Sequence, residues 1–386
     1  MAVGSFGVNE TAVREWRHHA DRLDEEFGGR EILHCHLLTI LTPAVTPGKL
    51  KACCSATHSK GTPMICRYEQ PCVSPEEFLT GLADIMRGNQ TDDGPCTACR
   101  YLVPTQMPEK FVPDSFSSVS LHDFCGCNSK CVYCHGSEYR LPVEYVASQD
   151  HEILFRSLLA SGLLKPGATT VAWGGGEPSL VTTFDNTVDF LSSSGVSETI
   201  NTSGIRFSPA IERALEARMA TVRVSVDSGT NEIYEKVKRN PNCDAVWSAI
   251  ERYAATGGDL VVKYIILSLN SDTAEVEAFV DRCVMAGVTR ICISVDVRSV
   301  WEHHSNAPKL TDKELAAAAA IYNRAKANGI EPYFEEIWSP EHIESIGRLG
   351  GFGVGMVPES TVGPTAESRS GLLVRVLRRI KRAVSN

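Results

Sequence analysis

From residue 117 onward the chain alternates short β-branched runs with helical stretches, and that rhythm leaves few folds open. The runs 117–123 (SSVSLHD), 168–174 (ATTVAWG), 197–204 (SETINTSG), 220–227 (ATVRVSVD), 260–268 (LVVKYIILS) and 288–297 (VTRICISVDV) read as six strands. Between them, helical patterns cover roughly 143–163, the VTTFDNTVDFLSS and PAIERALEAR segments, 244–255, and a helix ending near Ala286, where Gly287 stops it. Asp272 and Glu275 form a plausible cap for that last helix, and Thr311 with Glu314 make a capping box before an alanine run that Gly329 ends. Strands separated by helices of this length indicate βαβ units and a parallel sheet. Six such units predict an α/β fold, a partial (β/α)6-type barrel over 117–346, whose chemistry belongs at the C-terminal ends of the strands.

The fourteen cysteines are distributed unevenly, with eleven between Cys35 and Cys134. In a reducing compartment that density points to metal binding or redox chemistry rather than to a disulfide framework. Cys127, Cys131 and Cys134 follow the first strand with C-x3-C-x2-C spacing. Three thiolates wrapped around one cubane leave one iron open to bind a small molecule, whereas zinc would take a fourth ligand, for which Cys125 and His135 are available.

With its ordered companions, the triplet resembles the signature of the radical S-adenosylmethionine (SAM) superfamily. Tyr133 matches the aromatic position against the adenine. Gly175, Gly176 and Glu177, after the second strand, resemble the GGE motif whose backbone meets the SAM amino group. Asn201 and Ser203, after the third, resemble the segment near the ribose. Ser225 and Asp227, on the fourth, match the strand whose serine binds the SAM carboxylate. Lys238 matches a basic partner for that carboxylate, with Lys236 and Arg239 as neighbours. The resemblance covers about 117–297 and implies a [4Fe–4S] cluster on the triplet. It further implies SAM as cofactor, reductive cleavage to a 5′-deoxyadenosyl radical, and hydrogen abstraction from a peptide or a sugar or nucleotide-sugar substrate. An electron donor such as flavodoxin or ferredoxin is the implied partner. The competing reading is a non-catalytic zinc-binding scaffold.

Residues 1–116 read as a separate cysteine-rich module. HLLTI and KLKACC are expected as two strands joined by a PAVTPG turn. Cys35, Cys53, Cys96 and Cys99 then resemble the ligands of an auxiliary iron–sulfur module of the SPASM or twitch type, with Cys54, Cys66 and Cys72 as substitutes. In most relatives that module follows the barrel; here it precedes it. Beyond the sixth strand, Asp296, Arg298, His303 and His304 are candidates to bind or protonate substrate at the barrel mouth. Cys283 and Cys292 read as core, and Cys243 as a packed helix-start thiol.

Residues 347–371, rich in Gly, Pro, Ser and Thr, are expected as a flexible linker. In 372–386, Leu373, Leu377, Ile380 and Val384 recur at helical spacing among Arg375, Arg378, Arg379, Lys381 and Arg382. That is a basic amphipathic helix suited to an anionic membrane surface or an acidic partner. The net charge of −9 argues against a nucleic-acid-binding protein. No run approaches the roughly 20 apolar residues of a span, and no signal peptide is evident, so the expected location is cytoplasmic, with membrane-peripheral contact through the C-terminal helix.

Overall fold

The computed structural model describes residues 9–46, 49–52, 64–67, 74–91, 94–96, 99, 101–121, 126–134, 151–296, 310–335 and 337–352. The strands are β1 (Glu31–His34), β2 (Ala44–Thr46), β3 (Lys49–Lys51), β4 (Met64–Arg67), β5 (Val103–Gln106), β6 (Ser118–Leu121), β7 (Thr170–Trp173), β8 (Ser197–Thr202), β9 (Ala220–Ser225), β10 (Asp259–Ile266), β11 (Arg290–Val295) and β12 (Glu331–Phe334). The helices are α1 (Glu10–Phe27), α2 (His36–Thr39), α3 (Pro75–Gly88), α4 (His151–Ala160), α5 (Phe184–Ser193), α6 (Pro209–Glu216), α7 (Asn231–Lys238), α8 (Cys243–Ala255), α9 (Thr273–Met285), α10 (Asp312–Ala327) and α11 (Pro340–Gly350).

One sheet of ten strands runs in the order β12-β11-β10-β9-β8-β7-β6-β2-β3-β4, and β1 pairs separately with β5. From β6 to β12 every neighbouring pair is parallel. This is the partial (β/α) barrel sheet expected from the sequence, lengthened by β12. Parallel strands buried on one face alternate in burial. In β9, Ala220, Val222 and Val224 lie in the core while Thr221, Arg223 and Ser225 face the opposite, inner side. Because the strands share a direction, the loops after β6, β7, β8, β9 and β11 gather at one end.

The N-terminal third is not set apart from this sheet. β2 lies parallel to β6, Ala44 opposite Ser120 and Val45 opposite Leu121, and β3 and β4 extend the edge antiparallel. α1 presents Trp16, Ala20, Leu23 and Phe27 at helical spacing to the same continuous core. The expected boundary at 116/117 therefore falls between strands that share one sheet.

The expected hairpin also differs. HLLT is the short helix α2, not a strand, and the paired strands are AVT and KLK. Val45 and Thr46 are β-branched and so extend where a turn was expected, while Leu41, at φ 50°, breaks the chain direction before them.

Three further departures lie in the helices. α7 was not anticipated; Thr230 caps it by accepting from Ile233 N at 3.3 Å. Asp272 makes no side-chain cap on α9 and pairs instead with Lys313 at 2.8 Å, while Glu275 turns away to accept from Gly229 N at 2.5 Å and Thr230 Oγ1 at 2.7 Å. By contrast the Thr311–Glu314 capping box forms as expected. Finally, 347–350 belong to α11, whose Ser339 cap and Pro340 start drive the helix on to Gly351 at φ 67°, so the expected linker begins too early. The rest of that linker and the basic C-terminal segment lie outside the described residues. Among the described residues no helix is long and apolar enough to cross a membrane.

Candidate active site

The loop after β6 carries Cys127, Cys131 and Cys134, each half-buried and none in a disulfide. Four neighbouring segments hold it. Gly126 O accepts from Glu177 N at 2.9 Å, tying it to the loop after β7. Asn128 Oδ1 accepts from Ser203 Oγ at 3.1 Å, tying it to the loop after β8. Lys130 N and Val132 N both donate at 3.0 Å, to Lys238 O and Val237 O at the end of α7. Asn240, just past that helix, donates Nδ2 to Asn128 O at 2.7 Å. Within the loop, Ser129 N lies 3.4 Å from Cys127 Sγ, a donor that favours the thiolate.

The glycines after β7 have positive φ, 80° at Gly175 and 157° at Gly176, which only glycine adopts without strain. They leave that backbone exposed while turning Glu177 inward, where it is 1% exposed. Its Oε1 accepts from Ser179 Oγ at 2.7 Å and Thr202 Oγ1 at 2.8 Å, and its Oε2 from Ser203 N at 2.6 Å. The Glu177 carboxylate thus organises the loops after β7 and β8 against each other. Asn201 is exposed on the inner face, its Nδ2 on Trp173 O at 3.1 Å.

Beneath the cluster loop, Tyr133 Oη donates to Asp227 Oδ2 at 2.5 Å and accepts from Lys238 Nζ at 2.6 Å, while Lys238 Nζ also pairs directly with Asp227 Oδ2. Asp227 is fully buried at φ 59°, with Ile265 N on its Oδ1 at 2.7 Å and Asn270 Nδ2 on its backbone oxygen at 2.9 Å. Burial, with Asp227 and Cys131 adding to it, pushes the Tyr133 phenol well above its ordinary value. Burial works to lower Lys238, but Asp227 and Cys131 outweigh it and hold the ammonium above its usual range. Of the three candidate cations, Lys236 is exposed and paired with Glu232 at 2.6 Å, and Arg239 is an exposed left-handed cap at φ 51°. Only Lys238 is buried at the site, and Asp227 already neutralises it.

Sequence reasoning missed the other charges on the inner face. Lys263 on β10 lies across the register from Ser225 and meets Glu335 Oε2 at 2.7 Å, an oxygen that also accepts from Ser294. Burial acts to raise Glu335, but Lys263 and Ser294 hold its carboxyl below the usual range. A lysine inside the apolar run VVKYII was the available signal. Asp296 follows β11 and is half-buried; Arg298, His303 and His304 lie outside the described residues.

Cys35 lies within electrostatic reach of Cys96 and Cys99, 61 and 64 residues further along the chain. All three are buried; Cys35 starts α2, Cys99 N donates to Cys96 O at 2.8 Å, and Asn89 Oδ1 accepts from Cys96 N at 3.1 Å. Burial pushes the Cys35 thiol up to about 11, and the nearby Cys99 and Cys96 add to that. Burial pushes the adjacent His34 down to about 4, so it is neutral at physiological pH. Cys53 and the substitutes Cys54 and Cys72 lie outside the described residues, as does the Cys66 side chain. Among the described residues no three His, Cys, Asp or Glu side chains are grouped closely enough to hold one metal ion. A cubane asks for less convergence, since each thiolate binds its own iron.

The profile of the Radical SAM superfamily matches residues 122–300, the segment that runs from the end of β6 past β11 and contains every group of the cluster loop and its supports. The chain carries a radical SAM domain. A probable GTP 3′,8-cyclase of Methanococcus maripaludis is 25% identical over 195 residues, covering 50% of this chain and 64% of that protein. The mycofactocin maturase MftC of Mycobacterium tuberculosis is 27% identical over 165 residues, covering 42% of this chain and 40% of its own length. Streptococcus suis SuiB, solved bound to precursor peptide SuiA, superposes with TM-score 0.43 at 13% identity, over 72% of this chain and 57% of that one. The chain thus spans less than two thirds of the length of these relatives. Among the described groups, the radical SAM domain supplies the triplet, Glu177, Asp227 and Lys238, whereas Cys35, Cys96 and Cys99 lie outside it.

Proposed function

We propose that this radical SAM enzyme binds a [4Fe–4S] cluster on Cys127, Cys131 and Cys134 and cleaves SAM reductively, so that the 5′-deoxyadenosyl radical takes hydrogen from a substrate on the inner face. The observation that carries this reading is the docking of one three-cysteine loop onto the loops after β7 and β8 and onto the end of α7. The donor set fits the cluster: three half-buried cysteines on one short loop, with a backbone N–H on one sulfur. When bound, cluster and SAM supply the electron and the radical; the protein binds, orients and shields them.

The exposed backbone at 174–176 offers polar groups toward the SAM methionine end. Ser203 and Asn201 lie where the ribose is expected, and Ser225 faces inward for the carboxylate. Tyr133 lends its ring edge to the adenine side while Lys238 and Asp227 fix its hydroxyl. Lys238, neutralised by Asp227, is then a positioning residue for the cluster loop, and Glu177 does the same for the two strand-end loops. Asp296, Arg298, His303 and His304 are the candidates to bind or protonate the substrate.

The electrostatic reach of Cys96 and Cys99 to Cys35 supports the reading of an auxiliary cluster with Cys53 as fourth ligand. Burial keeps the Cys35 thiol protonated until a metal replaces the proton. The substrate is of peptide or sugar and nucleotide-sugar type. A cyclase named for GTP and a peptide-bound neighbour's title stand on the two sides of that choice. A flavodoxin or ferredoxin would deliver the electron.

Iron and sulfide counts on anaerobically reconstituted wild type, beside a Cys127/Cys131/Cys134→Ala triple variant, test the assignment. The expected result is 5′-deoxyadenosine formed only by the wild type on reduction. About four irons left in the variant report one auxiliary cluster. Stoichiometric zinc without SAM cleavage would sink the reading in favour of a metal-binding scaffold.

A further inference from the structure

The charges on the inner face of β9 to β12 are nearly all accounted for. Lys263 pairs with Glu335, and Arg290 pairs with Asp259, whose other oxygen accepts from Thr221 Oγ1 at 2.7 Å. Arg223 is different. It points to the same side as Ser225, two residues before it on β9, with Asn201 beside it across the register. Its guanidinium acts electrostatically on Cys292, Tyr333 and Glu335, yet among the described residues it forms no ion pair and no hydrogen bond, and its Nε is buried without a partner.

A buried guanidinium N–H without an acceptor is costly, and such orphans in folded proteins mark places where something else completes the bonding. Glu335 does not fill the role, because its Oε2 already serves Lys263 and Ser294. The planar fork of an arginine matches a carboxylate or a phosphate, two oxygens to two N–H groups. We propose that Arg223 anchors an anionic group of the substrate, carboxylate or phosphate, deeper along the strand than the SAM position at Ser225. This rests on the reading of the inner face as the reaction chamber. It narrows the substrate class to molecules bearing such an anion, and it places the reacting carbon between that anion and the strand ends.

The test uses the anaerobically reconstituted full chain with inorganic phosphate and succinate as probes, followed by calorimetric titration with and without saturating SAM. Wild type is expected to bind at least one probe at a single site. Arg223→Gln should weaken that binding tenfold or more, and Arg223→Lys should recover part of it. Without anion, Arg223→Gln should melt at or above the wild-type temperature, because it removes a buried N–H that has no acceptor; an arginine with a purely structural role would give a lower one. Three outcomes overturn the proposal: no binding of either probe to wild type, equal binding by Arg223→Gln, or an Arg223→Gln melting temperature below wild type. Competition by SAM for the same site would also overturn it, since the anion would then be the methionine carboxylate. Formation of 5′-deoxyadenosine is read in the same wild-type sample. Its absence would refute the parent reading and leave the anion result standing.

Discussion

Asp227→Asn isolates the ion pair beneath the cluster loop. Asparagine keeps the side-chain shape, tolerates φ 59°, and leaves an oxygen for Ile265 N, so backbone strain and volume stay nearly constant. What changes is charge. Lys238 has a side chain 4% exposed and Asp227 is at 0%, so the substitution strands an ammonium with no compensating carboxylate. Removing one partner of a buried pair costs about 3–5 kcal/mol. The Tyr133 hydroxyl also loses a charged acceptor, a loss that overlaps with the first rather than adding to it. With an unfolding entropy of about 2.1 cal/mol/K per residue, the expected fall in melting temperature is roughly 5 °C.

The assay is a fixed-rate melt of the cluster-free protein, with iron retention measured in parallel. Lys130 N and Val132 N hang on the carbonyls at the end of α7, so loosening Lys238 should also speed iron loss from the triplet. The decisive comparison is Asp227→Asn with Lys238→Met. If the stranded charge causes the loss, the double variant recovers most of it. A single variant that melts like wild type, or a double variant worse than the single, would refute this account.

Three more outcomes follow from buried groups. Glu177→Gln turns an amide N–H₂ toward donors that now find an oxygen, and should cost about 1–3 kcal/mol and weaken SAM binding several-fold; equilibrium dialysis with labelled SAM would show unchanged affinity if the loops do not depend on it. Burial raises the Glu198 carboxyl well above 4.5, only partly offset by Trp173 Nε1 at 2.7 Å. The folded state therefore holds that proton longer than the unfolded one, and stability falls as pH rises from the unfolded value toward the folded one, by up to about 1.4 kcal/mol per pH unit. Glu198→Gln should remove that slope, so urea midpoints from pH 5 to 8 that stay parallel to wild type would contradict it. Gly229→Ala puts a Cβ 2.2 Å from Phe279 N and 2.6 Å from the Ala278 carbonyl carbon, backbone that cannot yield, at a cost of about 3 kcal/mol or more; a wild-type urea midpoint would show that α9 moves after all.

What sequence reasoning reaches here is what short range and strand order determine. The triplet, the GGE loop and the SVD strand are local patterns, and a parallel sheet carries their strand ends to one place without further information. Contacts between distant positions behave otherwise. Asp227 and Lys238 each read as cofactor groups, but that they neutralise one another depends on α7 turning back under the cluster loop, and α7, eight residues long with only Tyr234, Val237 and Lys238 buried, is short and mostly polar. Glu275 reads as a helix cap until Gly229 approaches from 46 residues away and offers a buried donor, a stronger claim on its carboxylate than an exposed helix end.

The same logic explains the N-terminal third. Cysteine density suggested an independent module, because nothing in residues 44–46 announces a partner at 118–121. Once β2 pairs with β6, the segment from Cys35 to Cys99 is tied to the strand that leads into the cluster loop. Two thiol sites that the sequence presents as belonging to separate domains are thereby fixed to one sheet. Under the proposed pair of clusters, one sheet would hold the two sites at constant separation, which a flexible linker would not.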